Sequence, residues 1–153
     1  MRNKKTILII CAFVCFMLAA QVTSEGGQAE KKIFYLGDGP GNLPFSPAVL
    51  MKGTLYISGQ LAVDPATGKF VPGTMTEEAT RVIQNIQILA KKAGMDLSDV
   101  VQTSVFISDF KEFAEFNKVF RSFFPKHPPT RATVEVSELA RGAKIEIAAI
   151  AVK

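Results

Sequence analysis

The chain has 153 residues, of which 48% are hydrophobic and 21% are charged, with 11 Gly and 8 Pro. This composition is typical of one compact globular domain and argues against several domains or long disordered tails. The net charge of +4 gives little support to a nucleic-acid partner, because Arg2, Lys4 and Lys5 lie in a leader without acids. The rest of the chain carries 15 basic and 14 acidic residues, a balance of only +1.

Residues 1–24 have the features of a secretory signal peptide. A basic start is followed by an apolar run from Ile7 to Ala20 and by small residues up to Ser24. A retained membrane anchor is the alternative, but the run is shorter than the about 20 residues that a spanning helix needs. We therefore expect cleavage between Ala20 and Glu25, and an exported protein, periplasmic or secreted, with no membrane attachment.

The mature chain is expected to hold no metal. Cys11 and Cys15 both lie in the leader, so no thiolate ligand remains after cleavage. The one histidine, His127, is expected in an exposed loop, and one imidazole cannot supply the usual set of zinc ligands. A Gly-rich phosphate loop is also missing from the sequence, so no phosphate cofactor is predicted.

Three short β-type runs open the domain, which we predict over residues 33–153. They are residues 33–36, 48–51 and 54–58. Lys52-Gly53 is typical of a tight hairpin between the last two runs.

Two amphipathic helices are predicted next. Thr74 and Glu77 have the spacing of a capping box, and Gly94 is well placed to end the first helix. Asp109 and Glu112 repeat the cap pattern before a second helix whose apolar side consists of phenylalanines.

The remaining elements are strands at 100–107, 131–136 and 143–152. Their order predicts an α+β fold in which two helices cover one face of a single mixed sheet. The last strand is apolar on both sides, and two helices can cover only one side. We therefore expect the second side to pack on a partner subunit of a homo-oligomer.

Candidate chemistry lies on the last two strands. Alternation puts Arg131 and Thr133 on one face of their strand. A hairpin with the final strand would put Thr133 opposite Glu146 and Arg131 diagonal to Glu146. The functional hypothesis is that Arg131 binds a substrate carboxylate while Glu146 positions or deprotonates a water. An ordinary cross-strand ion pair is the alternative. The stiff Pro128-Pro129 approach and the expected subunit seam favour the functional hypothesis, because burying a charge pair is costly.

Two further features are candidates for pocket positions. Asn117 falls on the phenylalanine side of the second helix, where it either lines a pocket or is a buried structural amide. Ser58-Gly59 ends a strand with two small residues, which is typical of a β-bulge or of a close approach to a ligand oxygen.

Six stretches, taken together and in order, resemble the RidA family, also called the YjgF or reactive-intermediate deaminase family. They are residues 44–48, 55–60, 64–68, 113–120, 128–134 and 145–151. The resemblance implies a chorismate-mutase-like, RidA-type homotrimer with clefts between its subunits. It also implies hydrolysis of 2-imino acids, derived from 2-aminoacrylate and related enamines, to 2-oxo acids and ammonia without a cofactor.

The same resemblance assigns roles to named residues. It implies that Arg131 clamps the substrate carboxylate, that Glu146 handles the water, and that Ser58, Gly59 and Asn117 line the pocket.

The chain departs from the family pattern at two pocket positions. Phe45 stands where archetypal members have Tyr, so a hydroxyl near the substrate is missing. Thr133 stands where several members have Cys, which the chemistry tolerates because that thiol is not the nucleophile.

Three other functions remain open at this point. The first two are a non-catalytic trimer that binds a carboxylate metabolite and a chaperone-like trimer that presents apolar surface. A ribonuclease is disfavoured by the near-neutral mature chain and by the single histidine, which leaves no acid–base pair.

Overall fold

The computed structural model describes residues 30–39 and 42–153. The predicted signal peptide and its cleavage site lie outside these residues. In the described part the sheet has six strands and is covered by two α-helices. The strands are β1 (Lys32–Phe34), β2 (Ala48–Met51), β3 (Thr54–Gln60), β4 (Val100–Ile107), β5 (Thr130–Glu135) and β6 (Ile145–Val152). The helices are α1 (Met75–Lys92) and α2 (Phe113–Phe123).

The strands form one mixed sheet in the order β1-β2-β3-β6-β4-β5. Neighbouring strands are antiparallel except β4 and β5, which are parallel. Helix α2 connects these two strands and returns the chain to the end of the sheet at which β4 begins. The predicted α+β architecture, a single mixed sheet with two helices, is confirmed. Lys52-Gly53 forms the predicted hairpin, with both residues at positive φ (49° and 76°) as a tight turn requires.

The predicted hairpin between the last two strands is wrong. β5 pairs only with β4, at the outer edge of the sheet, whereas β6 lies in the middle between β3 and β4. The parallel crossover through α2 places β5 outside β4, and the segment 136–144 then returns the chain to the other side of β4. A strand that is apolar on both sides fits the central position better than the edge.

The core lies between the sheet and the helices. Alternate residues of β6 are buried there, at Ile145, Ile147, Ala149 and Ala151, and they pack under α1. The opposite face of the sheet has no helix over it, and it leaves large apolar side chains exposed. Among them are Tyr56 (51%), Val134 (47%) and Val152 (46%). None of the helices in the described ranges is long and apolar enough to cross a membrane.

Helix α1 begins with the predicted capping box. Thr74 Oγ1 accepts a hydrogen bond from the Glu77 backbone N–H (3.3 Å), and Glu77 Oε2 accepts one from the Thr74 N–H (2.8 Å). The next residue, Glu78, is buried and accepts hydrogen bonds from the backbone N–H groups of Gly73 (3.2 Å) and Lys144 (2.9 Å). This carboxylate therefore ties α1 to the chain just before β6.

The second predicted cap is only half correct. Asp109 Oδ1 accepts a hydrogen bond from the Lys111 N–H (2.9 Å), but it caps a short 3₁₀ turn, Phe110–Glu112, that precedes α2. Glu112 makes no cap and forms an ion pair with Lys144 Nζ (2.9 Å). The local pattern predicted that the Glu112 carboxylate caps the helix, but this carboxylate binds Lys144, a residue distant in the sequence.

Candidate functional site

Arg131 projects from the edge strand β5 toward α2. Its Nη2 donates a hydrogen bond to Asn117 Oδ1 (2.8 Å). The guanidinium carbon lies over three phenylalanine rings of α2, at 4.7 Å from the centroid of Phe120, 5.1 Å from Phe116 and 5.6 Å from Phe113. Cation–π contact and one amide therefore hold the guanidinium in a single orientation.

No carboxylate within the described part of the chain pairs with Arg131. The ion pair that these residues do form joins Lys144 and Glu112. Burial of the guanidinium, and secondarily repulsion from Arg121, hold the pKa of Arg131 below its ordinary value, yet arginine stays charged in proteins. Since Asn117 takes one N–H group, the others remain available to an anion.

Thr133 lies two residues further along the same face of β5. Its Oγ1 is buried and has no hydrogen-bond partner among the residues that the structure describes. A buried hydroxyl is normally paired, so the Thr133 hydroxyl is a candidate for a hydrogen bond to a ligand or to an atom of another subunit. We call Arg131, Asn117 and Thr133 the arginine half-site.

Glu146 lies on β6, on the face of the sheet that carries no helix. Its neighbour is a bulge in β3: Ile57 pairs with Ala149 and Gln60 with Ile147, so that Ser58-Gly59 forms the predicted β-bulge. A Cβ at Gly59 would overlap Glu146 Oε1. Gly59 is therefore the residue that leaves room for the Glu146 carboxyl group.

Ser58 connects this bulge to the loop before β2. Its Oγ and its backbone N–H both donate to the Pro47 carbonyl oxygen (3.1 and 3.0 Å). Gln60 Nε2 in turn donates to the Ser58 carbonyl oxygen (2.9 Å). Phe45, two residues before Pro47, is 53% exposed. The bulge thus fixes the end of the loop that presents Phe45.

The Glu146 carboxyl group is partly desolvated, and burial raises its pKa above the ordinary value for glutamate. A carboxylate with a raised pKa is a better proton acceptor, as a general base requires. We call Ser58, Gly59 and Glu146 the glutamate half-site.

The two half-sites do not meet within one protomer, and the prediction that Arg131 is diagonal to Glu146 is wrong. Arg131 pairs in register with Thr103, which faces the helices, whereas Glu146 pairs with Phe106, which faces the open side. Thr133 faces Val105 of β4 and not Glu146. The error follows from the assumed hairpin of β5 and β6. Because β4 lies between these two strands, Arg131 and Thr133 pair with β4, and Glu146 lies on the other face of the sheet.

The sequence reasoning missed the aromatic support of the guanidinium. It took the phenylalanines of α2 as core residues, and Phe116 and Phe120 are indeed buried. The available signal was Asn117 within that stripe, because a polar residue among aromatic residues on one helix face marks a place where a charged group can enter.

No group of His, Cys, Asp and Glu in the described ranges is arranged to hold a metal ion. His127 is exposed in the loop between α2 and β5.

Comparison with known proteins identifies the family. The family model described as Endoribonuclease L-PSP matches residues 40–153. The 2-iminobutanoate/2-iminopropanoate deaminase of Capra hircus is 44% identical over 110 residues, which cover 72% of this chain and 80% of that protein.

Solved structures agree with this match. RidA from the Antarctic bacterium Psychrobacter sp. PAMC 21119 superimposes with a TM-score of 0.73 at 35% identity, covering 79% of this chain and 98% of that one. E. coli TdcF with bound serine gives a TM-score of 0.73 at 32% identity, covering 81% of this chain and 99% of that one. The chain therefore belongs to the RidA family, which is also called the YjgF family.

Proposed function

We propose that the chain is a deaminase that hydrolyses 2-imino acids to 2-oxo acids and ammonia without a cofactor. One observation carries this proposal: the guanidinium of Arg131 is held in place by Asn117 and by aromatic rings, and within the described part it has no carboxylate partner. A fixed guanidinium with free N–H groups is complementary to a planar carboxylate. The names of relatives such as the Capra hircus deaminase support imines as the substrate class.

The reaction takes place in clefts between the subunits of a homotrimer. Within one chain Arg131 and Glu146 lie on opposite faces of the sheet, so a site that uses both draws them from two protomers. Both groups are partly desolvated and lack an ion-pair partner in the described ranges, which makes them complementary to each other and to a polar substrate. The exposed apolar face with Tyr56 and Val152 supplies the surface that such an assembly buries.

The chemistry needs two roles from these residues. Arg131 binds the carboxylate of the 2-imino acid, and the Thr133 hydroxyl adds a hydrogen bond beside it. Glu146 accepts a proton from water as the water oxygen bonds to the carbon of the protonated imine. The carbinolamine nitrogen then takes up the proton that Glu146 holds, and the hydroxyl group gives its proton back to Glu146 as the C–N bond breaks. A 2-oxo acid and ammonia leave, and Glu146 releases the remaining proton to solvent.

The size of these effects is sufficient for catalysis, because a protonated imine is already electrophilic. A general base contributes about 10² to 10⁴ in rate. The charge-assisted hydrogen bonds to the carboxylate add roughly 1.5–3 kcal/mol each.

The setting of the reaction is the periplasm or the exterior of the cell, after removal of the leader. The basic and apolar pattern of residues 1–24 supports this part of the proposal. The imines would then come from an oxidase that acts on amino acids outside the cytoplasm.

The decisive experiment couples an L-amino-acid oxidase to the mature chain, beginning at Glu25, and times the trapping of the imine by semicarbazide. We expect the protein to reduce semicarbazone yield, and Arg131→Ala to abolish this effect while its circular dichroism spectrum stays unchanged. Arg81→Ala, an arginine on α1, is the matched control and should keep the activity. Undiminished hydrolysis by Arg131→Ala would refute the proposal.

A binding measurement on the same mature chain distinguishes the deaminase from a non-catalytic binding protein. Calorimetric binding of 2-oxobutanoate together with no imine hydrolysis would favour a carboxylate-binding trimer instead of an enzyme.

A further inference from the structure

The aromatic surface around Arg131 continues from the buried core to solvent. Phe116 and Phe120 are buried, and Phe113 is half-buried. Phe110 stacks on Phe113 with ring centroids 5.0 Å apart and an angle of 25° between the rings. Phe110 is 40% exposed, so the row of rings ends in water.

This exposed end has no evident structural task. Phe110 lies in the 3₁₀ turn before α2, where Asp109 already caps the chain, and the core does not depend on its ring. The exposed part of the ring is apolar surface in water beside the ring that contacts the guanidinium, and covering such surface with another apolar group is favourable. Phe113 contacts both the guanidinium, at 5.6 Å from its ring centroid, and the Phe110 ring, so the two rings form an aromatic shelf that begins at Arg131.

We propose that this shelf binds the side chain of the 2-imino acid, and that the enzyme prefers imino acids with branched or aromatic apolar side chains over three-carbon imines. The proposal rests on the proposed function. With the carboxylate on Arg131, a substituent of the adjacent carbon reaches Phe113 first and Phe110 next. Phe45, which is also exposed, supplies a third ring on the loop of the glutamate half-site.

The expected preference follows from the apolar surface that leaves water. Burial of one methylene group is worth about fourfold in kcat/KM, so a branched side chain gains more than a methyl group does. An aromatic side chain adds stacking on Phe110.

The experiment compares imines that the oxidase generates from alanine, leucine and phenylalanine. We expect kcat/KM to increase in that order for the parent protein. We expect Phe110→Ala to lower the ratio of leucine-derived to alanine-derived kcat/KM by about tenfold, while Phe110→Leu keeps most of it. Val71→Ala, an exposed apolar residue in the loop before α1, is the control and should leave the ratio unchanged.

The outcomes separate this proposal from the function on which it rests. Hydrolysis of all three imines at equal kcat/KM, or an unchanged ratio in Phe110→Ala, would overturn the side-chain shelf alone. Failure of the parent protein to hydrolyse any of the three would overturn the deaminase itself.

Discussion

At the scale of single residues, the contrast between two sets of charges is informative. Lys144 and Glu112 pair with each other, and this hydrogen bond raises the pKa of the lysine. Arg131 and Glu146 are both partly buried, and for both groups burial shifts the pKa toward the neutral form. Among the described residues the fold thus pairs Lys144 with Glu112 and leaves Arg131 and Glu146 without an ion-pair partner, as is common at functional sites.

The raised pKa of Glu146 predicts a pH dependence. The carboxylate is the active form, so kcat/KM should rise as the pH increases through this raised value and should then level off. We expect Glu146→Gln to remove this acidic limb and to lower the rate by about 10² to 10⁴. The pH profile is measured from initial rates over acidic to neutral pH, corrected for spontaneous imine hydrolysis. Glu138→Gln, on an exposed loop, should keep the parent profile, and an unchanged limb in Glu146→Gln would show that another group titrates.

Residue patterns in the sequence identified much of the candidate site. Alternation along one strand indicated that Arg131 and Thr133 share a face, and the apolar stripe of the second helix drew attention to Asn117. The contact of Arg131 with Asn117 was not predictable, because it depends on how α2 crosses the sheet. Geometry of this kind is set by the packing of whole elements and not by local spacing.

At the scale of elements, the bulge in β3 determines where the Glu146 carboxyl group can lie. The extra residue at Ser58-Gly59 bends the strand locally, and the absence of a side chain at Gly59 opens the space that the carboxyl group fills. Gly59 is not at positive φ, so its importance is spatial and not conformational.

This arrangement predicts the effect of Gly59→Ala. The added methyl group displaces the Glu146 carboxyl, and a misplacement of about 1 Å costs roughly 10²-fold in rate. We therefore expect kcat of Gly59→Ala to fall by roughly 10²-fold, while its circular dichroism spectrum shows a folded protein. Gly39→Ala is the matched control, because a Cβ there meets open space. Parent-level activity in Gly59→Ala would mean that the carboxyl group works from another position.

The elements themselves were largely predictable from the sequence, whereas their order in the sheet was not. The capping box at Thr74 and the alternation in β4 are local signals, and both were correct. The pairing of β6 with β3 and β4 depends on contacts between residues far apart in the chain. Consecutive strands often pair, so the sequence predicted a hairpin of β5 and β6, whereas the structure places β6 between β3 and β4.

At the scale of the whole molecule, the open face of the sheet predicts the effect of a charge at the proposed seam. Tyr56 is 51% exposed and stands on this face, and Tyr56→Lys would bury an unpaired charge between subunits. Such a charge costs about 3–5 kcal/mol, enough to dissociate the trimer at assay concentrations. Sedimentation velocity should show monomers, and imine hydrolysis should disappear with the trimer.

Val71→Lys adds the same charge outside the open face, so it should leave both mass and activity as they are in the parent. A monomeric parent protein, or an active Tyr56→Lys monomer, would contradict the proposed clefts.

The separation of the two half-sites on opposite faces of the sheet has a genetic consequence. In the proposed trimer every chain contributes the Arg131 guanidinium to one cleft and the Glu146 carboxyl group to another. Two different inactive chains, one lacking Arg131 and one lacking Glu146, would therefore rescue each other when they co-assemble, since some clefts of the hybrid would receive both intact groups. Loss-of-function alleles at these two positions would complement, whereas two alleles at the same position would not.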